Sequence, residues 1–300
     1  MPTHRLAVRN FLDGPALTPA DLTMVFLVRE DGDRPDRPMP TIVVGEIPKS
    51  VHELAALGIR SVKIFAGSRL RDARASQSVS SHGLMMRAIR QVKETEPGIA
   101  VMTETCLCSH TDTGECFLTS CGAPDIEATA EVLGEQAVAQ ADAGADIVGP
   151  AAMIPGTTAA VRAALDTAGH TDVAIMPHLI FNSALYEGYR TTMGAAPASG
   201  QRAFQIAPGR ADQAVQTGLG FVREGADMLL LEPALFSVDT LLRLRKLCAA
   251  ALMPFSVSGE YQRLTSDGDV RPLAEAFTML KRAGGDRIIT YGAVEIARRL

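Results

Sequence analysis

One phrase recurs along this chain. A stretch with helical spacing of apolar residues ends in Gly, one or two small or polar residues follow, and a short apolar run begins. It stands at Leu57-Gly58-Ile59-Arg60 before SVKIF, at Ala143-Gly144-Ala145-Asp146 before IVGPA, at Glu224-Gly225-Ala226-Asp227 before MLLLEPA, and at Ala283-Gly284-Gly285-Asp286 before RIITY. The Gly ends a helix in the left-handed conformation, and a tight turn leads into a strand. The runs lack polar alternation, so both faces are buried, as in parallel strands covered by helices. Less punctuated runs complete eight predicted strands, at about 23–29, 60–66, 100–106, 146–151, 173–180, 227–232, 254–258 and 287–291. Helical stretches such as 128–143, 159–169 and 239–252 lie between them.

Strands alternating with helices eight times predict an α/β chain folded as one (β/α)₈ barrel over residues 21–300. Residues 1–20, with RLAVRNFLDGPALTP, read as an arm that packs elsewhere, with another subunit as one candidate. No GxGxxG opens a helix after the first strand, so a dinucleotide fold has no support. A net charge of −5 and a pI near 5.7 argue against nucleic acid as the main partner. No apolar run approaches the ~18 residues of a membrane span and the N-terminus lacks a signal-peptide core, so a cytoplasmic protein is expected.

Four of the five cysteines fall in TETCLCSHTDTGECFLTSC. Cys106, Cys108 and Cys116 have the spacing C-x-C-x7-C at the end of the third predicted strand. Strand alternation puts Cys106 and Cys108 on one side, and a Gly-containing loop can fold Cys116 back onto them. Three thiolates with an open position suit a catalytic Zn²⁺. Reduced, buried thiols without metal are the alternative. Cys121 is a possible fourth ligand that would close the site, and Cys248 reads as a helical core residue. His82, His110 and His170 read as solvated, Met85 and Met86 as helix packing, and 31–38 as a charged turn.

Here the sequence resembles the porphobilinogen synthase (5-aminolevulinate dehydratase) family. TETCLCSHTDTGEC looks like its zinc loop and AGADIVGPAAMIPG like its fourth strand and following turn. NSALYEGYR resembles the segment ending in a substrate-binding Arg, here Arg190. QRAFQIAPGRADQAV, GADMLLLEPAL, VSGEYQRL and GDRIITY match further blocks in order. The resemblance implies the barrel, an arm embracing a neighbour in a homo-oligomer from dimer to octamer, and a zinc that helps bind one of two 5-aminolevulinate molecules. It also implies two lysines that form Schiff bases with the substrate ketones.

Neither lysine is present. The fifth-strand position is Ile180 and the sixth-strand position is Glu232, while a Ser-Asp pair is replaced by Ala151-Ala152. Arg190, Gln205, Ser258, Tyr291 and the three cysteines match the family, the Phe65 position looks like a substrate contact, and Glu104 replaces an Asp. Without an amine, a ketone does not become an iminium.

Strand alternation turns His178 inward with position 180 and sets Lys63 on the face of Phe65, one layer deeper. Three readings follow. Lys63 forms an inert core ion pair with Glu232 or another carboxylate; or Glu232 and His178 supply acid–base chemistry, with Tyr291, beside a zinc-bound substrate or water; or Lys63 is a relocated Schiff-base lysine. The expected activity is that of a zinc-dependent lyase or condensing enzyme for a small amino- or keto-acid, whose carboxylate Arg190 and Arg202 would hold. Genuine porphobilinogen synthase and a non-catalytic zinc-binding paralogue are the alternatives.

Overall fold

The recurring Gly caps do what their spacing predicts. Gly58, Gly144, Gly225 and Gly284 have φ of +81°, +104°, +100° and +110°, and each precedes a strand of one parallel sheet. The computed structural model describes residues 17–32, 37–197, 200 and 202–300. Residues 1–16 of the predicted arm and 33–36 of the charged turn lie outside the described residues.

The chain begins with β1 (Leu22–Val28), α1 (Ile47–Ala56), β2 (Ser61–Ala66), α2 (Leu84–Thr95) and β3 (Ala100–Thr105). A hairpin, β4 (Leu118–Ser120) and β5 (Ala123–Asp125), precedes α3 (Ile126–Asp142), β6 (Ile147–Pro150) and α4 (Thr157–Thr167). Then come β7 (Ala174–Ile175), β8 (His178–Ile180), α5 (Glu187–Met193), α6 (Ala211–Arg223) and β9 (Met228–Glu232). The rest is α7 (Val238–Leu247), β10 (Ala251–Ser256), α8 (Ser258–Leu264), α9 (Arg271–Arg282), β11 (Ile288–Thr290) and α10 (Ala293–Ala297).

The parallel sheet runs β7-β6-β3-β2-β1-β11-β10-β9-β8. Its two ends are halves of the predicted fifth strand, parted only by Met176 and Pro177. Pro177 has no N–H for the ladder, so the strand breaks there. Met176 N still donates to Val148 O (2.8 Å) and Leu230 N to Pro177 O (3.1 Å), so the barrel closes.

One boundary differs from expectation. The helix predicted over 239–252 stops at Leu247, Cys248 is an extended, half-buried cap, and β10 starts at Ala251. The alanine-rich tail has helical propensity, but Leu252 and Met253 are buried in the barrel wall, and that burial decides the conformation. Lys63, Phe65, Glu104, His178 and Glu232 point inward, whereas Thr103 and Thr105 point outward and donate to Gln140 of α3 (2.8 and 2.7 Å). Among the described residues no helix is long and apolar enough to cross a membrane.

Candidate active site

The C-terminal ends of the strands surround a small, partly enclosed cavity. One sector carries the thiols. Gln140 Nε2 donates to Glu104 O (2.9 Å) and Gln136 Nε2 to Cys106 O (3.2 Å), so α3 fixes the end of β3. Thr111 Oγ1 donates to Glu115 O (2.8 Å), closing the loop that returns Cys116 to Cys106 and Cys108. Gly114 lies in that turn with φ +70°, and a Cβ there would meet Ala196 O at 2.3 Å. The three Sγ atoms lie within 4.8 Å of one another, and this group could hold a metal ion. Cys121 is exposed at the hairpin turn and is not part of the group, which corrects its candidacy as fourth ligand. The reason is local: β4 and β5 carry it outward.

A second sector holds an unexpected chain of polar side chains. Lys63 Nζ is 2.6 Å from Thr103 O and 2.9 Å from His178 Nε2, and His178 Nδ1 is 2.8 Å from Glu232 Oε1. Lys63 is wholly buried, so the direct Lys63–Glu232 pair expected from sequence is replaced by one bridged through His178. Gly149 of β6 makes the room, since a Cβ there would lie 2.6 Å from Lys63 Nζ and 3.0 Å from His178 Nε2. Burial pushes Glu232 up to about 8, against the Lys63 charge, and pulls Lys63 below the usual lysine range, against the opposing pull of Glu104 and Glu232. Burial and then Lys63 hold His178 well below the usual imidazole range. The His178 ring is therefore a neutral bridge.

The third sector is α5 and the residues around it. Arg71 donates to Met193 O (2.8 Å) and to Gly194 O, Arg37 to Thr192 O (2.7 Å) and Arg202 to Ala195 O. Guanidinium groups thus meet carbonyls at the helix C-terminus that have no intrahelical partner, where its dipole favours cations. That fixes Tyr186, Tyr189 and Arg190 over the cavity. Tyr189 OH donates to Glu104 (3.1 Å), and its ring meets Phe65 edge-on at 5.3 Å. Phe65 also stacks on Phe255 at 5.8 Å, and Phe255 leans on Tyr291 at 5.9 Å, giving an aromatic wall.

Of the side chains singled out in the sequence, Glu232, His178, Tyr291, Phe65, Glu104 and the three cysteines line this cavity. Arg190, Arg202, Gln205 and Ser258 line it too, and Lys63 alone stands behind the wall. Ser258 Oγ is engaged, donating to Leu185 O (3.0 Å) and accepting from Tyr189 N (3.1 Å), so it ties α8 to α5. Arg202 donates to Gly114 O (2.7 Å) and Cys116 Sγ (3.2 Å), joining the thiol loop to α5. Arg190 has no hydrogen-bond partner among the described residues; its guanidinium lies 5.3 Å from the Tyr186 ring. Gln205 Oε1 and Tyr186 OH are buried without partners among the described residues. Sequence reasoning missed Tyr186, Tyr189, Phe255 and Val257, although the spacing Tyr186-x-x-Tyr189-Arg190 marks one helical face. His110, expected in solvent, is buried, because the thiol loop packs over it.

A closed barrel that gathers thiols, a buried Lys–His–Glu chain and an arginine with no hydrogen-bond partner among the described residues at the C-terminal ends of its strands has the architecture of an enzyme. The chain matches the profile of the delta-aminolevulinic acid dehydratase family over residues 3–299, and it belongs to that family of lyases. A delta-aminolevulinic acid dehydratase of Halalkalibacterium halodurans is 34% identical over 98% of this chain and 94% of its own length. One from Methanothermobacter thermautotrophicus is 35% identical over 96% and 93%. The delta-aminolevulinic acid dehydratase (porphobilinogen synthase) of Toxoplasma gondii, solved with its reaction product porphobilinogen, superposes with a TM-score of 0.91 at 27% identity, covering 99% of this chain and 89% of that one.

Proposed function

We propose that this chain is a zinc-binding lyase or condensing enzyme for a small amino- or keto-acid, in which a buried carboxylate replaces the family's amine chemistry. One observation carries the reading. Glu232 stands at the cavity wall where an amine is expected, Ile180 occupies the other such position, and among the described residues no lysine lines the cavity.

The donor set fits zinc. A tetrahedral ion with Zn–S of about 2.3 Å spaces its sulfurs about 3.8 Å apart, and Cys106 Sγ and Cys108 Sγ are 3.5 Å apart. Cys106, Cys108 and Cys116 would hold the ion, which when bound supplies a Lewis acid for a substrate amine or carbonyl oxygen.

The remaining roles belong to the chain's own side chains. Arg190 pairs with a substrate carboxylate, and Gln205 and Tyr186 offer hydrogen bonds that no described residue satisfies. Glu232 Oε1 is taken by His178, and Oε2 makes no hydrogen bond among the described residues. Oε2 takes a proton from a substrate C–H or N–H, whose electron pair stays on the substrate. The carboxyl then returns that proton to a departing hydroxyl, which leaves as water.

Porphobilinogen formation is the second reading, supported by the family's named members and by Arg190, Gln205, Ser258, Tyr291 and the thiols around one cavity. A colorimetric pyrrole assay on zinc-supplemented protein with 5-aminolevulinate separates the two. The proposal expects no pyrrole and no borohydride-trapped adduct on any lysine. Sustained pyrrole turnover would refute it, and an adduct on Lys63 would make that lysine the amine.

A further inference from the structure

We propose that Lys63 is a positioning residue that acts through His178 on Glu232 and keeps the carboxylate at the cavity wall available as a base. The inference rests on the acid–base reading above, and three features of the structure carry it.

The first is the path. Lys63 starts on β2 and reaches β8 across β3 and β6, a route open only because Gly149 has no side chain. A long cation threaded across two strands to one imidazole nitrogen is an unusual way to fill a core, where an apolar side chain would need no partner. The second is hydrogen-bond accounting. With Glu232 ionised, one set of protons fits every contact: two Nζ protons go to Thr103 O and His178 Nε2, and Nδ1–H donates to Glu232 Oε1. The unit is then neutral overall, and what it leaves uncommitted among the described residues is Oε2 and the third Nζ proton. The third is the balance of charges around the ends. Lys63 faces Glu104 from β3, Glu232 from β9 and the Phe65 ring at 5.5 Å. Glu232 also faces Glu260 of α8, Arg190 of α5, Tyr186 and Tyr291. Lys63 is therefore the stronger of two cations, with Arg190, that oppose burial and two neighbouring carboxylates at Glu232.

Two measurements test this. In K63M labelled with ¹³C-glutamate, the Glu232 carboxyl signal, assigned by its loss in E232Q, should titrate about one pH unit higher than in the wild type, a roughly tenfold change in proton affinity. A merely structural lysine would lower the melting temperature and leave that titration in place, and that result overturns the proposal. In wild-type protein labelled with ¹⁵N-histidine, the His178 ring should be neutral at pH 9, with its proton on Nδ1. An imidazolium, or a proton on Nε2, overturns the proposal even where K63M does not fold. Pyrrole formation from 5-aminolevulinate would defeat the reading of the substrate while leaving the ring measurement to decide the role of Lys63.

Discussion

Replacing Gly149 by Ala tests whether the interior chain is as tightly built as its geometry implies. An added Cβ would lie 2.6 Å from Lys63 Nζ, 2.6 Å from Thr103 O and 3.0 Å from His178 Nε2. Ordinary contact needs about 3.4 Å or more, and one of these neighbours is a backbone carbonyl that cannot swing away. Overpacking alone costs about 1–3 kcal/mol. Pushing the ammonium off its acceptors adds about 1.5–3 kcal/mol for a charged hydrogen bond. Relief of glycine's conformational entropy returns about 0.5–1 kcal/mol. The net expectation is a destabilisation of about 3 kcal/mol, or a fall in Tm of about 6 °C for a chain of this size. Scanning calorimetry at pH 7 measures it, and the same substitution in a K63M background isolates the contribution of the ammonium. The G149A penalty should shrink there by about 1–2 kcal/mol, because Met can yield where a bonded ammonium cannot. A G149A protein melting within about 1 °C of wild type would refute the account of the path. An undiminished penalty in K63M would assign the whole clash to Thr103 O.

Two other outcomes are expected. Thiol-reduced protein should contain about one zinc per chain, and C108S should lose most of it by elemental analysis; unchanged zinc in C108S would remove the three-cysteine site. E232Q keeps an acceptor for His178 Nδ1–H, so its Tm should stay near that of wild type while turnover falls by about 10²–10⁴-fold. Its pH dependence carries a definite sign. Glu232 holds its proton to about pH 8 in the folded chain against an ordinary 4.5, so the native state binds the extra proton and stability falls as pH rises through that window. E232Q removes that contribution, at most about 1.4 kcal/mol per pH unit. The slope of Tm between pH 5 and 7 should flatten, and an unaltered slope with full activity would make Glu232 a bystander.

The barrel was legible because its information is local. Each Gly cap, small polar turn and doubly apolar run lies within a dozen residues, and the strands predicted from them fall within a few residues of those observed. The boundary at Ala251 escaped because local propensity and tertiary burial disagree there, and so did the break at Pro177, where one missing N–H splits a strand that sequence reads as continuous. The site was legible in membership, since residues at strand ends share one mouth, and alternation gives the inward set. Its connectivity was not. Lys63, His178 and Glu232 sit on β2, β8 and β9, and whether Lys63 meets the carboxylate or the imidazole depends on the barrel's stagger, which no local pattern encodes. The one local trace was a glycine inside a strand, Gly149, which gives up side-chain packing in the barrel interior. Such a residue needs a reason from another strand. Here the reason is an ammonium that has to pass, so the glycine, the lysine and the histidine form one device on three elements, and changing any one should be felt at the other two.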